Sequence, residues 1–313
     1  MFPLSPSKTL TRLAFATGLL SKLVLGVTID DVFRVKEGTE KGGCDAYKAD
    51  LALWFEDAIK LADIAAAGIA ATDDKTREYL DGFFSIGPGG DTSAVSLFVS
   101  RVQKVLSNEQ IPPGGKPWLF CDSTWLEEQA WDAVLRDSDG NPQEDGETAE
   151  QKYEPTDQQK IDKRPFWSAE LGYIFFEPGD YCTLRKKKSD PLNQGATQDL
   201  TEPNTVTLCI NNFPSGASTL AQIASVDAPR ISIKDRQANS LTLFHELFHL
   251  SSGSDDTPDH SYELSKILNF PAATAVQNPE SYSFYALALY LGQQNPVYTF
   301  ASGRSVKPRR TRG

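Results

Sequence analysis

Apolar positions between residues 45 and 107 recur at the three- and four-residue spacing of a helix face. In 45–71, Leu51, Leu53, Trp54, Ala58, Ile59, Leu61, Ala62 and Ile64 form one such stripe, which predicts a long helix. Thr72-Asp-Asp74 reads as the start of a second helix, which ends in Tyr79-Leu-Asp-Gly-Phe-Phe84. Gly87-Pro-Gly-Gly90 breaks the chain. Asp91-Thr92 then caps a third helix running to about Ser107, with Ala94, Val95, Leu97, Phe98, Val102 and Val105 on its apolar side.

Beyond Pro112-Pro-Gly-Gly115 the pattern shortens to strand-like runs. These are Trp118-Leu-Phe-Cys121, Ala133-Val-Leu135, Leu171-Gly-Tyr-Ile-Phe-Phe176 and Thr205-Val-Thr-Leu-Cys-Ile210, and the last two read as buried strands. Asp137-Ser-Asp-Gly-Asn-Pro142 is a turn signal, and the polar, acidic run 143–165 reads as a surface loop. Residues 29–43 are a short polar lead, and the basic end at 301–313 is expected to be a disordered tail. No linker separates the helical part from the strand-containing part. The expectation is one helix-rich α+β domain over 44–300.

Composition narrows the function classes. The chain has 313 residues, 40% hydrophobic and 23% charged, which are ordinary globular proportions. Its formal net charge of −11 excludes a broad nucleic-acid-binding face, and Arg185-Lys-Lys-Lys188 reads as a solvated loop. Residues 1–28 hold Lys8, Arg12 and Lys22, no acidic residue, and an apolar run from Leu13 to Val27, which reads as a secretory signal peptide. A secreted chain with Cys44, Cys121, Cys182 and Cys209 is expected to carry two disulfides, for which three connectivities exist. A tetrathiolate zinc site needs close cysteine pairs, and there are none. There is no N-x-[ST] sequon.

The three histidines, His245, His249 and His260, lie within sixteen residues of one another. Two of them form His245-Glu246-Leu247-Phe248-His249 inside a segment, 239–250, that reads as a helix. Residues four apart share a helix face, so both imidazoles aim at one point, and Glu246 reaches the same point without being a ligand. Zinc takes neutral imidazole nitrogens and keeps a position open for water, from which Glu246 would draw a proton as general base. The bland alternative is a pair of hydrogen-bonded core histidines, but it leaves a buried glutamate with nothing to neutralise it. A catalytic zinc needs a third protein ligand. The pattern with a third histidine asks for Gly at position 252 and His at 255, where this chain has Ser252 and Asp255. Spacing leaves Asp255, Asp259, His260, Glu263 and Glu280 as candidates.

Asp256-Thr257-Pro258-Asp259-His260-Ser261-Tyr262 resembles the G-T-x-D-x-x-Y-G motif of the aspzincins, the deuterolysin-like and peptidyl-lysine metalloendopeptidases of fungi and some bacteria. The run 235–245 is similar to that family's lead-in to the zinc helix. Asn278-Pro-Glu-Ser-Tyr-Ser-Phe-Tyr-Ala286 resembles its downstream N-x-x-S-Y helix, and Val206-Thr-Leu-Cys209 its half-cystine strand. The likeness covers roughly 44–292, with 138–165 and 183–204 looking like surface insertions. It implies a helix-rich zincin-like domain in which His245, His249 and Asp259 bind one Zn2+ and Glu246 activates water. It also implies that Tyr262 donates to the oxyanion, and the pairs Cys44–Cys121 and Cys182–Cys209. Both motif glycines are replaced, by Asp256 and Glu263, so the turn presenting Asp259 is expected to differ.

The expected function is therefore a secreted, monomeric zinc endopeptidase acting on proteins or peptides, without nucleic-acid partners and without a membrane anchor once the signal is removed. The alternative on the same fold is a secreted zinc-binding or host-interaction protein with little or no turnover. A disulfide-stapled structural protein without metal is the third reading, and it makes the His245, Glu246 and His249 constellation a coincidence.

Overall fold

The computed structural model describes residues 26–112, 114–183, 191–199 and 201–307. The expected signal segment, all but its last three residues, lies outside these. So do the basic run at 185–188 and the tail beyond 307.

The chain opens with α1 (Ile29–Val32) and β1 (Arg34–Val35). The segment read as a polar lead is thus part of the fold, because Ile29, Val32 and Phe33 are buried. Three long helices follow: α2 (Lys48–Ala70), α3 (Asp74–Phe84) and α4 (Ser93–Leu106). Their buried stripes largely follow the sequence pattern. On α2 they include Leu51, Trp54, Ala58, Leu61, Ala62 and Ile64, whereas Leu53 on α2 and Leu97 on α4 are exposed. Asp73 caps α3 by accepting from the Thr76 N–H at 2.9 Å, and Ser85 ends that helix in the left-handed conformation.

Next come β2 (Trp118–Phe120), β3 (Glu127–Glu128), α5 (Ala149–Tyr153), α6 (Asp157–Asp162), β4 (Arg164–Ser168), β5 (Gly172–Phe176), β6 (Gly195–Gln198) and β7 (Thr205–Leu208). The last helices are α7 (Ser240–Ser252), α8 (Leu264–Ile267), α9 (Ala272–Gln277) and α10 (Pro279–Gln294). The fold is mixed helix and sheet, as the α+β reading expects.

One sheet has the order β1-β2-β7-β6, with β1, β2 and β7 parallel and β6 antiparallel to β7. A second, antiparallel sheet has the order β3-β4-β5. Four expectations change here. Ala133-Val-Leu135 contributes only a single bridge, Val134 to Thr148, and is not a strand. The acidic loop contains α5 and α6, each opened by a capping box, Thr148 with Gln151 and Thr156 with Gln159. The strand β5 is only half-buried, because it is the outer strand of its sheet. The segment 301–307 is packed rather than disordered: Arg304 bridges Ser232, Val306 bridges Thr299, and Ser305 is buried.

Two disulfides, Cys44–Cys121 and Cys182–Cys209, join the pairs that the resemblance implies. The first fixes the approach to α2 onto the end of β2. The second ties the end of β7 to the segment before β6. Eleven of the thirteen residues of α7 are buried. That is a central helix, and it packs against α2, α4, α10 and the edge strand β6. Phe248 stacks on Tyr282 of α10 at 4.4 Å and meets Phe244 edge-on at 5.2 Å. No helix among the described residues is long and apolar enough to cross a membrane.

Candidate metal centre

The helix α7 presents His245 and His249 on one face, both nearly buried. Gly253, at φ 85°, stops the helix one turn later and donates its N–H to the His249 carbonyl at 2.7 Å. The chain then returns over the two imidazoles. Asn278, fully buried at the start of α10, accepts from the Ser261 N–H at 3.2 Å and pins the returning turn. This brings Asp259 back to the helix. Its Oδ1 lies 3.1 Å from His245 Nε2 and 3.3 Å from His249 Nε2, and the two Nε2 atoms are 3.2 Å apart.

His245, His249 and Asp259 thus form a group that can hold a metal ion. The spacing fits a small tetrahedral cation, since donors at about 2.0 Å from zinc stand roughly 3.3 Å from one another. Hydrogen-bond directions point the same way. Thr257 Oγ1 gives its hydrogen to the Gly253 carbonyl at 2.7 Å, so it can only accept from His249 Nδ1 at 3.2 Å. The Glu280 carboxylate likewise accepts from His245 Nδ1 at 3.1 Å. With each Nδ1 committed as the donor, both neutral imidazoles turn Nε2 lone pairs toward Asp259 Oδ1. A cation satisfies all three atoms.

Charge makes the same demand. Burial disfavours a charged His245, but hydrogen bonds to Asp259 and Glu280 outweigh it and raise its pKa well above the usual imidazole value. Burial would raise the Asp259 pKa. Its bonds to the two histidines prevail and hold it far below the ordinary carboxylate range. The Glu246 carboxyl is pushed up, chiefly by its own burial.

Glu246 is 4% exposed and faces β6. Thr197 Oγ1 donates to its Oε2 at 2.8 Å. Tyr262 stacks on His245 with centroids 5.6 Å apart, and its hydroxyl donates to Asp259 Oδ2 at 2.5 Å. Burial and the neighbouring Asp259 charge push the Tyr262 pKa up.

Of the third-ligand candidates, only Asp259 joins the histidines. Asp255 is exposed, and Glu263 pairs with Lys266 at 3.1 Å. The His260 ring lies 6.2 Å from Phe270 instead. Glu280 does not ligate but orients His245. The replaced glycines do not strain the turn. Neither Asp256 nor Glu263 takes a positive φ, and Asp256 lies 3.5 Å from Arg101.

Sequence reasoning assigned no role to Thr257, Thr197 or Gly195. Thr257 sits inside the motif-like stretch and was open to assignment. Gly195 and Thr197 lie 51 and 49 residues before Glu246 in a polar run that carries no periodic signal. Compared with known proteins, no family model matches this chain and no curated protein matches it.

Proposed function

We propose that the protein is a secreted zinc-dependent endopeptidase with a zincin-like fold of the aspzincin type. One observation carries the reading: two lone-pair nitrogens and a carboxylate oxygen converge at zinc spacing beside a buried glutamate that is free of the metal group. His245, His249 and Asp259 would hold the ion. When bound, it supplies Lewis acidity to a peptide carbonyl and lowers the pKa of water.

The chain's own residues do the rest. Glu246 accepts the proton of the attacking water and passes it to the leaving amine, and its raised pKa suits that exchange. Tyr262 provides a hydroxyl at the rim as a donor to the developing oxyanion. Glu280 and Thr257 keep both imidazoles in the metal-binding tautomer.

The edge strand β6 gives an extended peptide a place to add. Gln194 O accepts from Cys209 N at 2.7 Å, so in the antiparallel pairing Ala196 and Gln198 bond to β7. Gly195 and Thr197 then turn their N–H and C=O groups to the open edge beside Glu246. The two disulfides and the charged N-terminal apolar run support a secreted setting.

The second reading, a zinc-binding protein without turnover, drew its support from the replaced motif glycines, and their relaxed backbone removes that support. The test is hydrolysis of an unfolded protein before and after chelation. Cleavage lost with the metal and restored by zinc supports the reading, and cleavage untouched by thorough metal removal overturns it.

A further inference from the structure

Glu246 is gripped by a strand rather than by its own helix. Gly195 and Thr197 occupy the same face of β6, the face toward α7. The hydroxyl of Thr197 donates to Oε2 at 2.8 Å and lies 3.2 Å from the Glu246 carbonyl. The carboxylate is the stronger acceptor of its single hydrogen. At Gly195 the missing side chain is what admits the carboxylate: a Cβ there would stand 2.5 Å from Oε1 and 3.0 Å from Cδ and Cγ. One oxygen is therefore tied while the other rests against bare backbone. Nothing on α7 itself performs this task, because the neighbours of Glu246 on the helix are apolar or are the histidines that face the metal group.

We propose that Gly195 and Thr197 form a clamp that positions the general base, with Oε2 held by Thr197 and Oε1 left as the atom that takes the proton. Thr197 acts through Glu246 and is a positioning residue, not a catalytic one. The same two residues turn their backbone groups to the open edge, so a peptide that adds to β6 docks on the element that aims the base. This inference rests on the peptidase reading for its kinetic consequences, while the clamp itself is a statement about side-chain geometry.

The experiment uses the full secreted chain, loaded with zinc, and compares Thr197→Val, Thr197→Ser and Gly195→Ala. The loss of one hydrogen bond to a charged group lowers kcat by about tenfold or more in Thr197→Val. KM and zinc content stay at wild-type values. Thr197→Ser, which keeps the hydroxyl, restores most of that loss. Gly195→Ala lowers kcat further with zinc retained, and a thermal melt of each variant guards against misfolding.

Three outcomes overturn the clamp: wild-type kcat in Thr197→Val, an equal loss in Thr197→Ser, or a fall in zinc content that accounts for the lost rate. A crystal structure of Thr197→Val provides a readout independent of turnover. The Glu246 carboxylate moves off its position there, and an unmoved carboxylate refutes the clamp. If the zinc-loaded wild type cleaves no peptide, the peptidase reading fails, and the clamp is then decided by that crystal structure alone.

Discussion

Replacing Glu280 separates a metal ligand from the group that orients one. Its Oε2 lies 3.1 Å from His245 Nδ1, its side chain is 12% exposed, and it makes no contact with the His249 or Asp259 donors that define the metal group. Removal of such a partner of a ligating histidine typically lowers metal affinity about 10- to 100-fold, or roughly 1.4 to 2.7 kcal/mol. Glu280→Ala is expected in that range. Glu280→Gln keeps an acceptor for Nδ1–H but loses the charge that raises His245 basicity, so it falls between wild type and Glu280→Ala. Asp259→Ala removes a donor atom from the group itself and costs more than either. Competition with a chromophoric zinc chelator at fixed pH gives all four affinities. The reasoning is refuted if Glu280→Ala binds zinc as tightly as wild type, or if it loses as much as Asp259→Ala.

Three further outcomes follow from the same geometry. Asp255→Ala leaves zinc affinity near wild type while Asp259→Ala lowers it sharply, and titration of the two variants in parallel would show the reverse order if the third ligand were Asp255. Tyr262→Phe removes the hydroxyl on Asp259 Oδ2 and so weakens zinc binding a few-fold, comparable to one hydrogen bond. An affinity identical to wild type would assign that hydroxyl to substrate alone. Opening Cys44–Cys121, which closes a 77-residue separation, costs up to about 4.5 kcal/mol by chain entropy, against about 3.5 for the 27-residue Cys182–Cys209. Denaturant melts of the paired Cys→Ser variants should rank them in that order, and a larger loss for the second pair contradicts it.

The helices were legible because each carries a buried stripe long enough to repeat. Leu51, Trp54, Ala58 and Leu61 mark α2, and Val95, Phe98, Val102 and Val105 mark α4. The metal group was legible for a local reason: four residues between two histidines set a shared face, whatever surrounds them. The edge strand β6 was not, since Gly195-Ala-Thr-Gln198 has no alternating apolar signal and acquires its meaning only by lying against Glu246. The same holds for Arg34–Val35, two residues that become a strand only because β2 lies beside them. At the C-terminal end, basic composition suggested disorder. Ser305 overrides it by donating to the Ala228 carbonyl at 2.7 Å and accepting from the Ile231 N–H at 2.9 Å. Glu280 looked like a ligand by residue type, and only the position of its oxygen on Nδ1 rather than Nε2 shows its different part.

The most direct test of the central claim is hydrolysis of an unfolded protein by zinc-loaded wild type beside Glu246→Ala carrying equal zinc. The account predicts cleavage by the wild type and none by the variant, because the buried carboxylate moves the proton while the metal group stays intact. Equal cleavage by both, or no cleavage by a zinc-replete wild type, contradicts it.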